Sequence, residues 1–234
     1  MAIAEVGIYS YKELTSYSDY IKDLKDKGLY DKTSKAEAIM LEAEMPDYVS
    51  NYTLYPVYDR SSPLTSPQDS VAILRNTIGA DKWISSGQWI RYKFSVDSDG
   101  LYEIVARYRQ NINDGMYSSR TIYIYSKGLN EGDDGYYNGI PFDEARELRF
   151  NYSTDWQGKP PQYGIVTTDA KGNNQVEYVD IEFYFEAGVE YTIEFEVALG
   201  TMSEIVRKID ESLTTINNAY LNIMRLTGAE PDSD

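Results

Sequence analysis

QWIRYKFSVDSDGLYEIVARYR, residues Gln88–Arg109, alternates apolar and polar side chains twice over, and the expected architecture follows from it. Ile90, Tyr92, Phe94 and Val96 fall on one face of a first strand, with Arg91, Lys93 and Ser95 on the other. After a tight turn at Asp97–Gly100, Tyr102, Ile104, Ala106 and Tyr108 repeat the rhythm against Glu103, Arg107 and Arg109. A period of two with one charged face belongs to an antiparallel sheet that is wet on one side and packed on the other. The apolar face needs a covering layer, and a second sheet is the natural candidate.

The same rhythm returns at Gln175–Phe185 and Tyr191–Ala198, joined by EAGVE, which reads as a hairpin turn. Ile181, Phe183 and Phe185 are expected inside, as are Tyr191, Ile193, Phe195 and Val197, with Glu182, Glu186, Glu194 and Glu196 on a solvated face. Further strands are expected at Ala36–Met45, Asp69–Arg75, Arg120–Ser126 and Arg146–Phe150, with a closing strand at Ala219–Leu226. Two segments keep helical spacing instead: Ser16–Lys27, ended by Gly28, and Ser203–Leu213, where Ile205, Ile209 and Leu213 recur every four residues. The expectation is an all-β antiparallel sandwich with two short decorating helices. Residues 1–35 are expected to form an N-terminal helical extension, 36–228 the sandwich and 229–234 a linker remnant of a longer protein.

Composition narrows the chemistry. The formal charge of −16 argues against nucleic acid as a partner. No apolar run approaches the ~20 residues that span a bilayer, so no direct membrane insertion is expected of this segment. Histidine and cysteine are both absent, which removes Ser-His-Asp triads, cysteine nucleophiles, disulfides and ordinary zinc sites. Carboxylates, tyrosine, lysine and oxygen-bound hard cations remain. Tyrosine, at 23 residues, supplies broad rigid contacts with a polar tip.

LEAEM at Leu41–Met45, KWISSGQWIRYKFSV running into DGLYEIVARYR, and FEAGVEYTIEFEVA resemble, in that order, the galactose-binding-like β-sandwich of carbohydrate-binding modules of families six and thirty-five. A second resemblance covers nearly the whole chain. SYSDYIKDL, the sandwich, and GTMSEIVRKIDESLTTINNAYLNIMRLTGAEPD are similar to the N-terminal region of large extracellular solute-binding lipoproteins of Gram-positive bacteria, which accompany carbohydrate ABC transporters. These resemblances imply a cell-surface location. They also imply an oligo- or polysaccharide ligand, with further domains of a larger surface protein and ABC transporter components as partners.

In the sugar-binding families one aromatic before the GxW strand and a tryptophan from a later loop wall the ligand, and an asparagine near the last strand bonds it. Here the matching residues are Trp83, Trp156 and Asn217 or Asn218. If every strand crosses the sandwich once, these loops fall at one end, together with Asn111, Asn113, Asp114 and Tyr117. An aromatic ring packs on the C–H face of a pyranose while amides and carboxylates meet its hydroxyls. Trp89, inside a strand, reads as structural. The opposite end carries Tyr48, Tyr52, Tyr55 and Tyr58 on one loop and Asp133, Asp134, Tyr136, Tyr137 and Asn138 on another, a site or a loop stapled by its own tyrosines.

Glu42 and Glu44 stand two apart on an expected strand, with both carboxylates on one face. The resemblance implies a structural calcium (Ca2+) there, completed by a residue of the last strand that corresponds here to Asn222. Three functions stay open: a non-catalytic carbohydrate-binding domain, a scaffold or protein-interaction domain of the same surface protein, and a carboxylate-pair glycosidase.

Overall fold

The computed structural model describes residues 14–30, 38–62, 73–112, 114–126, 137–160, 162–169, 171–200 and 202–228. Among the described residues twelve strands run in chain order: β1 Tyr48–Val49, β2 Trp89–Ser95, β3 Gly100–Glu103, β4 Ala106–Tyr108, β5 Tyr117–Ser126 and β6 Asn138–Gly139. They continue as β7 Leu148–Asn151, β8 Gln157–Lys159, β9 Gln162–Thr168, β10 Asn174–Asp180, β11 Glu182–Phe185 and β12 Glu190–Ala198. Helix α1 spans Tyr17–Asp26 and α2 spans Met202–Thr227. The large sheet has the order β1-β2-β12-β5-β7-β9-β10, with β6 beside β5; β11–β3 and β4–β8 form smaller antiparallel pairs.

The fold is the all-β sandwich that alternation calls for. Ile90, Ile122, Ile124, Tyr191 and Ile193 of the large sheet are buried, as are Phe183, Tyr184 and Phe185 of β11. The layers meet ring to ring: Phe94 of β2 stands edge-on to Phe185 of β11 at 5.0 Å, and Phe185 lies 4.8 Å from Tyr191 of β12. The connections differ from expectation. β2 belongs to the large sheet and β3 to the small one, so the turn after Val96 switches layers instead of closing a hairpin. EAGVE likewise carries the chain from β11 to β12 in the other layer, with Gly188 N–H bonded to the Val96 carbonyl at 3.0 Å. Alternation reports which face is apolar; it does not report which neighbour a strand takes.

Helix α1 is part of the core. Ser16 caps it through Asp19 N–H at 3.1 Å, and Tyr20 and Leu24 point inward, Leu24 with no exposed surface. Its tyrosines serve the backbone of β11: Glu182 N–H donates to the Tyr17 hydroxyl at 3.0 Å and Tyr184 N–H to that of Tyr20 at 2.8 Å. These hydroxyls, with that of Tyr137 at 3.1 Å from Tyr184 N, cover the edge of β11.

Several expected strands are absent. Of Ala36–Met45, residues 36–37 lie outside the described residues; the rest is unpaired, with Met45 N–H turning back onto the Glu42 carbonyl at 3.0 Å. Most of Asp69–Arg75 also lies outside the described residues, and 73–75 form no strand. Gln175–Phe185 breaks at Ile181 into β10 and β11, and β8 and β9 arise within what reads as a loop. The closing strand Ala219–Leu226 is helix, and α2 reaches 26 residues, far beyond the short segment expected. Val206, Ile209, Leu213, Ile216, Tyr220 and Ile223 keep a three-and-four spacing, so the helical period continues where a strand was expected. The chain divides into two compact units, Met1–Ala198 and Leu199–Asp234. No helix among the described residues is long and apolar enough to cross a membrane.

Candidate functional site

The strand pair β4–β8 builds the site. Tyr108 of β4 stands opposite Gln157 of β8, so Trp156, one residue earlier, arrives beside Arg109. The Arg109 guanidinium lies 5.3 Å from the Trp156 ring centre and that of Arg107 lies 5.8 Å away. The indole Nε1–H donates to Ser61 Oγ at 2.9 Å, and Arg109 donates to the same oxygen at 2.5 Å and to Asp59 Oδ2 at 2.6 Å. Ser61 in turn donates its N–H to Asp59 Oδ1 at 2.7 Å, with its hydroxyl bonded to the same oxygen. Burial pushes Asp59 up, but the Ser61 hydroxyl and N–H, Arg109 and the Trp156 indole outweigh it and hold the carboxyl below its usual range. The edge and the Arg-facing side of the indole are therefore fixed, while the residue stays half-exposed.

The same loop borders a small polar cavity of about 150 Å³, lined chiefly by Tyr108, Arg149, Asn151, Tyr152, Gln157 and Lys159. Ser153 organises its rim: it donates to the Asp155 carbonyl at 2.9 Å and accepts from Gln157 Nε2 at 2.9 Å. Ser153 N–H bonds the Gln110 carbonyl at 2.8 Å, which draws the 110–116 loop alongside. Asn111 is exposed on that loop, and Asn113 lies outside the described residues. Tyr117, opposite Asn151 across β5 and β7, donates its hydroxyl to Glu147 at 2.9 Å. Arg149 bonds the same carboxylate at 3.2 Å and lies 4.4 Å over the Tyr117 ring. Tyr117, Asn111 and Trp156 thus gather around one loop cluster.

Trp83 does not present itself as a second wall. Its indole donates to the Gln88 carbonyl at 3.2 Å, and Arg120, 4.2 Å from the ring centre, donates to the Trp83 carbonyl at 3.1 Å. Gly79, at φ 102°, passes so close that a Cβ there would lie 3.2 Å from the ring. Burial lowers the Arg120 guanidinium to about 10. This packing makes Trp83 a bracket for the loop before β2. Asn217 and Asn218 are exposed residues of α2.

The calcium geometry changes as well. Glu42 and Glu44 sit at a turn, so no strand aims both carboxylates one way, and Asn222 is a helix residue instead of a member of a last strand. Among the described residues no group of three or more acidic side chains could hold a metal ion. Of the residues expected at the opposite end, Tyr52 is 91 % exposed and Tyr137 is a core residue, while Asp59 and Ser61, further along the loop of Tyr52, bond the Trp156 site. Asp133, Asp134 and Tyr136 lie outside the described residues.

Sequence reasoning missed Asp59, Ser61, Arg107 and Arg109 as the frame of Trp156, and Arg149 and Lys159 as cavity residues. The alternation that put Arg107 and Arg109 on one strand face was the available signal; their convergence on a distant tryptophan was not. It also missed a second aromatic surface. On the outer face of the large sheet Arg91 lies 3.8 Å over Trp89, pairs with Glu194, and adjoins Tyr125. Tyr123 and Tyr125 stand parallel at 6.4 Å. Burial raises the Glu194 carboxyl, against the pull of Arg91, and only 4 % of its side chain is exposed. That surface is a self-satisfied network, whereas the Trp156 loop stands beside an open cavity.

No family model and no curated protein matches this chain. Among solved structures it is similar to a Paenibacillus sp. cycloisomaltooligosaccharide glucanotransferase, crystallised with cycloisomaltoheptaose. The two share 17% identity over 80% of this chain and 21% of that one, with a TM-score of 0.41. The likeness spans about a fifth of that enzyme's length.

Proposed function

We propose that the sandwich is a non-catalytic carbohydrate-binding domain of an extracellular sugar-uptake protein, with Trp156 as its stacking residue. The observation that carries this reading is the held indole: Nε1 anchored on Ser61, Arg107 and Arg109 alongside, and a polar cavity next to it. Sugar recognition needs a fixed aromatic plane beside clustered hydrogen-bonding groups, and here Trp156 directly precedes Gln157, which lines a polar cavity. Attachment to a solute-binding lipoprotein and an ABC transporter belongs to the same proposal and rests on the sequence resemblance.

Titration of tryptophan fluorescence with a glycan panel tests it. A quench that Trp156→Ala abolishes and that a folded Trp83→Phe variant retains is the expected result. A panel without response, or a response that survives Trp156→Ala, would overturn it. One observation favours a second reading, a protein-interaction domain: α2 leaves Ile209, Leu213, Ile216, Tyr220 and Ile223 each at least 53 % exposed. Apolar stripes of this kind mark docking surfaces.

A further inference from the structure

We propose that the saccharide taken by this site carries a tetrahedral anionic ester, a phosphate or a sulfate, seated in the cavity between Arg149 and Lys159. The inference rests on the sugar-binding reading above and adds the class of ligand. The chain has 38 acidic and 22 basic side chains, yet among the described residues Arg149 and Lys159 line the cavity and no carboxylate does. Arg107 and Arg109 flank the neighbouring indole. Two of these cations pair with carboxylates that lie outside the cavity lining, Arg149 with Glu147 at 3.2 Å and Arg109 with Asp59 at 2.6 Å. Glu147 faces Tyr117 and Arg149 from outside the cavity lining, and Asp59 is engaged by Ser61 and Arg109.

The balance of donors and acceptors points the same way. Arg149, Lys159 and the Asn151 amide supply N–H groups, and Tyr152 adds a hydroxyl, while the Gln157 Nε2 group is engaged by Ser153 and the Asp155 carbonyl. A neutral sugar hydroxyl donates as well as accepts, and a carboxylate is the side chain that only accepts. Here the acceptors are confined to amide, hydroxyl and phenol oxygens. An ester oxyanion brings acceptor oxygens alone and matches a lining rich in donors. The volume, about 150 Å³, leaves room for one such group.

The test uses the full chain and a panel of matched neutral, phosphorylated, sulfated and carboxylated glycans, read by calorimetry, with inorganic phosphate as a control. Ester members should bind at least about ten-fold more tightly than their neutral parents, with affinity falling as salt rises. Lys159→Gln alters an exposed side chain and should leave the melting temperature unchanged while removing that preference. Arg149→Gln should do the same to binding, with folding checked by circular dichroism. Equal affinity for neutral and ester members, or tighter binding of carboxylated ones, overturns the ester proposal and leaves the sugar-binding reading standing. Inorganic phosphate binding as tightly as the esters overturns the saccharide as the carrier. No binding anywhere on the panel, or binding indifferent to Trp156→Ala, removes the reading beneath it.

Discussion

Leu24→Ala tests whether α1 belongs to the sandwich. Leu24 has no exposed surface and sits in the same core cluster as Phe142, Phe183 and Phe185. Removing a fully buried leucine side chain costs about 2–5 kcal/mol, set by how far the cavity collapses. The cluster it belongs to is rich in rings: Tyr20 lies 5.2 Å from Phe142, which stacks on Phe183 at 5.5 Å. Rigid rings close a gap poorly, so about 3 kcal/mol is a fair central value. At 2–4 °C per kcal/mol for a unit of this size, the melting temperature falls by about 6–12 °C. Near-ultraviolet circular dichroism reports the packed aromatics and far-ultraviolet the backbone; both should shift together if unfolding is cooperative. Tyr17→Phe should cost less, about 1 kcal/mol, since it withdraws one neutral acceptor from Glu182 N–H. Lys22→Ala, on the exposed face, should stay within about 0.5 kcal/mol. A Leu24→Ala protein that melts with the parent would mean that α1 is not part of the cooperative unit, and would restore the reading of residues 1–35 as an appendage.

The layers were legible because alternation is a local property. Ile90, Ile122, Ile124, Tyr191 and Ile193 are buried where a period of two puts them. Pairing was not legible. Val96 and Gly100 flank a turn that reads equally well as a hairpin or as a change of sheet, and only contacts far along the chain decide between them. Tyr184 shows a second limit: it stands between two inward phenylalanines and is 1 % exposed, so β11 is buried on both faces. The strand expected at Ala219–Leu226 failed for a simpler reason. Its apolar residues fit both periods over a short window, and the longer window from Val206 to Ile223 selects the helix.

The candidate site was legible only as loops. Counting strand crossings gathered Asn111, Tyr117 and Trp156, and the bond from Ser153 to Gln110 joins their loops. The count carried no information about which indole is pinned into the fold. Trp83 and Trp156 look alike as aromatic residues in polar loops. The difference lies in Gly79, Gln88 and Arg120 for one, and in Ser61 and the cavity for the other. Each of these contacts depends on a backbone position that a linear reading does not supply. Glu42 and Glu44 illustrate the converse, since a pair two residues apart shares a face only when the backbone between them is extended.

Four further outcomes follow from this arrangement. Trp83→Ala should destabilise the protein by about 2 kcal/mol, below the fully buried range since the ring is half-exposed, and its melting curve checks this. Trp156→Ala should melt within about 1 kcal/mol of the parent, since its ring is held from the surface. Exchanging chelator for millimolar calcium should move the melting temperature by less than about 1 °C, because Glu42 and Glu44 alone offer too few oxygens for tight binding to the native state. The frame of Trp156 should respond to acid. Asp59 lies below its ordinary value of 3.8 in the folded protein, so the unfolded chain takes up the proton first. The stability it contributes is complete above 3.8 and is lost as pH falls through the lower, folded value. The difference in tryptophan emission between the parent and Trp156→Phe should therefore stay flat from neutral pH down to about pH 4 and change below it. In Asp59→Asn that difference should already be altered at neutral pH and should lose its acid step. An acid step that persists unchanged in Asp59→Asn would show that another group holds the indole, and the Asp59–Ser61–Arg109 frame would no longer explain why this tryptophan, and not Trp83, is set for a ligand.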